Sequence, residues 1–147
     1  MPTPIREAVL VAVASRLAAI IADVPIERAQ RAEPAVEAMP CLIIQAGDMI
    51  ADEEQSPGEC FWRIEFTVQG YAAGASDLAC EQALSLLHTR VVSALQAWDP
   101  PAPLVQFTTL DASFESFGVG ESAQPAGVFA ARFHAQAVTL SGNPYAP

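Results

Sequence analysis

FWRIEFTVQGYAAGASDLACEQALSLLHTRVVSALQAW, residues 61–98, decides how the rest of the chain is organised. Its first part alternates. Trp62, Ile64, Phe66 and Val68 interleave with Arg63, Glu65, Thr67 and Gln69, a period of two that puts the apolar side chains on one face of a strand over 61–72. A small-residue break follows at Ala73, Gly74 and Ala75. The spacing then changes to three and four: Cys80, Ala83, Leu84, Leu87, Val91, Ala94 or Leu95, and Trp98 fall on one stripe, which predicts a helix over 76–98. Ser76 or Asp77 can cap it, Asp77 and Glu81 suit its positive end, and Asp99-Pro100-Pro101 ends it. Trp62, Phe66, Leu87, Val91 and Trp98 are expected in the core. His88 and Arg90 lie off the stripe, and His88 is expected at the surface or rim.

Outward from this unit, Thr3 and Pro4 signal a helix start, Thr as cap and Pro at the first helical position. Leu10, Val13, Leu17, Ile20 and Val24 form its stripe, widened by Val9 and Ile21; Pro25 closes it. Residues 26–39 read as a surface connection with one edge strand near 27–32. Arg28 and Arg31 cluster there, as members of local ion pairs or as a docking patch. Residues 40–46 form a short buried strand, stopped by Gly47 and pairing antiparallel with 61–72. The connection over 47–59 is the most acidic stretch: Asp48, Asp52, Glu53, Glu54 and Glu59, with turn chemistry at Pro57-Gly58. It is either a solvated mobile loop or an acidic face turned toward a partner or channel.

Beyond the second helix, 104–110 reads as a strand with Val105 and Phe107 facing one way and a kink or turn at Asp111. Residues 113–119 extend it or form another, with Phe114 and Phe117 on different faces. A Gly-containing loop spans about 118–127. In the last strand, 127–140, Phe129, Ala131, Phe133, Ala135 and Ala137 share one face and Arg132, His134 and Gln136 the other. The tail, 141–147, is expected to be tied down only by a neighbour. The whole reads as one α+β domain over 1–147: a mainly antiparallel β-sheet with two main helices packed on one face.

At 147 residues the chain can bury a core without metals or disulfides. It has seven Arg, no Lys and 17 acidic residues, a net charge of -10, which excludes gripping DNA by phosphate neutralisation and disfavours anionic membranes. A protein that lets DNA pass without sticking is compatible with that charge. Cys41, Cys60 and Cys80 are odd in number, lack Cys-x-x-Cys spacing and read as buried small hydrophobes. With His88 and His134 they have no metal-ligand spacing. The N-terminus is not a signal peptide, and no apolar run is long enough to span a membrane, so production in the cytoplasm is expected. No P-loop or nucleophile elbow is present, and the Gly70–Gly74 break lacks the third glycine of a dinucleotide loop. The Glu53-Glu54 pair sits on a loop with no pocket to shift its pKa. No catalytic residue, metal or cofactor is assigned, and an enzyme is disfavoured.

Segments PIREAVLVAVASRLAAI, MPCLIIQAGD, FWRIEFTVQGYA, SDLACEQALSLLHTRVVSAL and GVFAARFHAQAVTLSGNPY, in this order and over this length, carry a resemblance. The chain resembles the tail terminator, or tail-completion, proteins of long-tailed bacteriophages and prophages. The match is poorest over 111–126. The resemblance implies a structural virion protein: a ring, commonly a hexamer, on the end of the tail tube. That ring stops tube polymerisation and joins the tail tube protein to the head–tail connector protein, with DNA passing through unbound. In that setting the acidic residues Asp48, Asp52, Glu53, Glu54 and Glu59 would line or rim the channel. Alternatives are another head–tail joining or tail-tube-like virion protein, or, in a different class, a small cytoplasmic ligand-binding domain or enzyme.

Overall fold

The computed structural model describes residues 3–29, 33–51, 58–117, 124–140 and 143–146. The chain forms helix α1 (Ile5–Ile20), strand β1 (Ile26–Arg28), a 3-10 turn (Val36–Ala38), strands β2 (Cys41–Ala51) and β3 (Glu59–Ala73), helix α2 (Asp77–Gln96), and strands β4 (Leu104–Phe117) and β5 (Ala126–Leu140). The five strands lie in the order β1-β2-β3-β5-β4. The β1–β2 pair is parallel; β2–β3, β3–β5 and β5–β4 are antiparallel. Both helices contribute to the core on one face of this sheet. The architecture is the α+β one read from the pattern.

The alternation in β3 sets that face. Ile64, Phe66, Val68 and Ala72 are buried, while Arg63 is exposed and Glu65, Thr67 and Gln69 are half-buried on the other side. Paired beside it, β5 buries Phe129, Ala131, Phe133, Ala135 and Ala137. Its run of alanines leaves room for helix side chains between two phenylalanines. Phe133 stacks on Phe66 at 5.5 Å, and Phe66 meets Phe107 edge-on at 6.1 Å. Trp98 is half-buried and stacks on Phe107 at 5.1 Å, so the end of α2 is fastened to β4. Trp62, also half-buried, donates its indole N–H to Thr139 Oγ1 at 2.8 Å. Thr139 is 2% exposed, and this bond supplies a partner for its buried hydroxyl.

The helix ends differ in chemistry. Ser76 caps α2 as expected, its Oγ accepting the Ala79 N–H at 3.1 Å. Thr3 does not cap α1; Pro4 occupies the cap position with no side-chain bond. The first free N–H, on Ile5, instead donates to the Pro144 carbonyl at 2.8 Å, and Ala146 N–H donates to Thr3 O at 2.8 Å. Residues 143–146 are thus fastened by the chain's own N-terminus, where the sequence had suggested a neighbour. Ile5 joins the α1 stripe, fully buried, and Ile20 leaves it, 49% exposed. Ile5, Val9, Val13, Leu17 and Ile21 recur every four residues as one fully buried ridge, and Ile20 lies off it.

Two strands run longer than their patterns suggest, because each carries a bulge. Gly47 does not stop β2. It lies in a register shift between Ala46 and Met49, and the strand continues to Ala51. A Cβ on Gly47 would lie 2.8 Å from the Glu65 carbonyl oxygen, so this close approach needs glycine. β4 is one strand with shifts between Leu104 and Gln106 and between Thr109 and Asp111. The second shift is the expected kink at Asp111. The first separates Val105, 49% exposed, from Phe107, which packs on the core; the two do not share a face as their spacing suggested. Phe114 and Phe117 do fall on different faces, paired with Phe129 and Ala126 respectively. β1 is only the first part of the edge strand expected near 27–32; residues 30–32 lie outside the described residues.

Candidate functional site

The two sides of the sheet offer different chemistry. On the helix side it is covered. On the other side, cross-strand pairs Arg63–Gln136, Glu65–His134 and Thr67–Arg132 make a polar centre. One end of that face is apolar: Cys41, Ile43 and Tyr71 are buried there, packed by Met39, Phe117 and Val128. Burial pushes the Cys41 thiol up, with Glu27 adding to it, and burial first, then Glu33 and Cys41, pushes the Tyr71 phenol up. Burial, then Asp77, raises Cys80. Raised thiols are poor nucleophiles, so Cys41 and Cys80 act as packing groups, as read from the sequence. Cys60 is likewise buried and free. His134 is held below the usual imidazole range by burial and by Arg63, against the opposing pull of Glu65.

The arginines are largely committed. Arg28 makes a two-pronged bond to Glu7 at 2.6 and 3.1 Å, which holds the Glu7 carboxyl below the usual range. Of the two readings of the Arg28–Arg31 cluster, Arg28 takes the ion-pair one; Arg31 lies outside the described residues. Arg90 pairs with Asp23 through both nitrogens. Arg132 pairs with Asp111 at 3.1 Å. Arg16 donates to the Ala94 carbonyl at 2.9 Å and lies over the Trp98 ring, and Arg6 donates to the Gly47 carbonyl at 2.8 Å. A cavity of about 460 Å³ is bordered by Val24, Met39, Pro40, Leu86, Leu87 and Arg90. Its guanidinium is the one held by Asp23, and these neighbours include no pair of nucleophile and base.

His88 is half-buried at the rim, as the sequence reading had it, but it has packed neighbours there. Its ring meets Phe114 edge-on at 5.2 Å and Phe129 at 5.3 Å, and its Nε2 is buried with no hydrogen-bond partner. Burial lowers its pKa. The helical stripe alone could not show this, because His88 faces Phe114 and Phe129, which the sheet brings together from two strands.

Of the five acidic residues singled out, Asp48 is exposed at the β2 bulge and Glu59 is exposed at the start of β3, opposite Leu140. Asp52, Glu53 and Glu54 lie outside the described residues. Asp48 and Glu59 therefore belong to the strands that lead into and out of the acidic connection.

The feature that sequence reasoning passed over is the β4 edge. β5 pairs with one side of this 14-residue strand; in the sheet order, no described strand pairs with the other. Unpaired N–H and C=O groups along such an edge are a template for another chain. Natural edges are commonly blunted by Lys, Pro or bulges; β4 has no Lys or Pro within its bounds and carries two bulges. Val105 (49%), Leu110 (37%) and Phe114 (50%) are exposed along it. Val105 and Leu110 stand at the two register shifts, which is why apolar residues spaced five and four apart emerge on an outer strand.

No helix among the described residues is long and apolar enough to cross a membrane. No family model matches the chain, and no curated protein does. Its fold is similar to that of a chain in a solved structure described as "Virion of native gene transfer agent (GTA) particle". The match has a TM-score of 0.54 at 18% identity, covering 88% of this chain and 93% of that one.

Proposed function

We propose that this protein is a structural component of a phage-like virion and that it acts as a tail terminator. In this reading, copies form a ring, six in number, on the end of the tail tube, stop tube polymerisation and present a surface to the head–tail connector. The observation that carries the proposal is the fold likeness to a gene transfer agent virion chain across nearly the whole of both chains. The β4 edge supports it. A ring needs heterologous contacts, in which one surface of a subunit meets a different surface of the next. A 14-residue unpaired edge with exposed Val105, Leu110 and Phe114 is a suitable half of such a contact. The net charge of -10 suits passage of DNA without binding, and the acidic residues Asp48, Asp52, Glu53, Glu54 and Glu59 are assigned to the channel side. The role is structural, with no catalytic step, and its place is the virion tail or neck, after assembly in the host cytoplasm.

Negative-stain imaging of the pure protein, alone and with tail tubes, tests this. Annular particles with a central hole, or caps on tube ends, are expected. A protein that stays monomeric by light scattering at high concentration and leaves tube ends bare would refute it. In an assembled particle, finding residues 48–59 on the outer wall would sink the channel assignment while leaving the ring intact.

A further inference from the structure

We infer that His88 is an acid-sensitive latch: the neutral imidazole seats Phe114 of edge strand β4 against the core, and protonation loosens the far half of that strand, which stays paired with β5. The geometry is a three-ring cluster. His88 projects from α2 onto Phe114 of β4 and Phe129 of β5, at 5.2 and 5.3 Å, and these two rings lie 6.1 Å apart, so the three form a triangle. Phe129 is fully buried, and Phe114 is half exposed. His88 therefore stands at the rim of the core, at the place where β4 meets α2. Elsewhere on the helix side, β4 is held by Trp98 on Phe107 and by Gln96 donating to Thr109 Oγ1 at 3.2 Å. Those contacts fasten the near half. For residues 111–117, Phe114 in the cluster is the described ring contact with α2.

Protonation is costly in this slot because the Nε2 position is buried without a partner. An imidazolium has two N–H donors, and Nε2 has no hydrogen-bond partner. The charged groups on the packed elements point elsewhere. On β4, Asp111 and Glu115 pair with Arg132 and Val128, which puts all of them on the face away from the helices. On α2, the residues one turn from His88 are Leu84, Ser85, Val91 and Val92, all uncharged. Arg90 is taken by Asp23 on another side of the helix. Attraction of an imidazolium to the two aromatic rings, about 0.5–2 kcal/mol, works against this loosening. Burial is the cause that moves this histidine, and it moves it downward.

The sign follows. A folded-state pKa below the unfolded one means the unfolded or locally opened chain binds the proton better. Stability of the latched state is full above the ordinary imidazole range and is lost as pH falls through it toward the folded pKa. His134 carries the same sign but sits on the open face, so its effect is separable.

The latch itself is independent of the ring reading; its consequence, that acid loosens an assembly edge, rests on it. Amide hydrogen exchange of the full chain, corrected for intrinsic rates, at about pH 7.5 and about pH 5 reads the latch directly. Protection of residues 111–117 is expected to fall severalfold at the lower pH, while β3 holds. His88→Phe should abolish the change, and His134→Gln should keep it. If His88→Phe does not fold, an NMR titration of the wild type serves instead: the His88 ring and the 111–117 amides should share one midpoint below that of free imidazole. Equal protection at both pH values, tightening in acid, or separate midpoints would overturn the latch. Failure to form rings with the latch intact would instead overturn the ring reading.

Discussion

Gly70→Ala offers a sharp test of how the core was built. Gly70 of β3 pairs directly with Phe129 of β5, and a Cβ added at Gly70 would lie 2.1 Å from Cε1 and 2.3 Å from Cζ of that ring. Relief needs a movement of more than an ångström. A ring tip on an open surface would swing aside cheaply, but Phe129 is fully buried and flanked by His88 and Phe114. Overpacking of this kind costs about 1–3 kcal/mol. For a domain this size that is about 2–4 °C in Tm per kcal/mol. Phe129→Ala alone should cost about 3–5 kcal/mol. Once the ring is gone, the methyl at residue 70 has room, so Gly70→Ala in the Phe129→Ala background should be neutral or stabilising by up to about 1 kcal/mol. The double-mutant cycle should therefore show a coupling of at least about 1 kcal/mol in favour of the pair. Urea denaturation followed by tryptophan fluorescence, with m values compared, measures all four proteins. A Gly70→Ala protein within 0.5 kcal/mol of wild type, or an additive cycle, would refute the claim that glycine is there to seat the ring.

Thr139→Val should cost about 1–3 kcal/mol, because the half-buried Trp62 indole loses its acceptor; a denaturation midpoint matching wild type would count against it. Ser76→Ala removes the α2 cap and should cost about 1 kcal/mol, with Ser76→Asp restoring most of it in thermal melts. Leu110→Glu on the β4 edge should abolish annular particles while leaving the far-UV circular dichroism and the melting temperature close to wild type. Rings that persist in that variant would move the interface away from β4.

Much of the fold was legible because burial in this chain follows local periods. The alternation over 61–72 and 127–140 needed no tertiary information, since one face of each strand is apolar and the other polar. The α2 stripe and its Ser76 cap were equally local. Reading failed where a register shift broke the period. Gly47 looked like a stop and is a bulge; Val105 and Phe107 looked like one face and are split by a shift. The Thr3 cap failed for a different reason. The carbonyl that receives the first helical N–H comes from Pro144, at the opposite end of the chain.

What the sequence determined by itself, then, is the α+β class, the strand-then-helix unit over 61–98 and the core face of β3, α2 and β5, because these depend only on side-chain period. Tertiary structure alone decided that β5 lies between β3 and β4, which leaves β4 as an unpaired edge and brings Phe114 and Phe129 together against His88. No local pattern encodes that. Which strand ends up outermost, and whether a histidine off the helical stripe meets water or two aromatic rings, depends on the order in which distant segments pair.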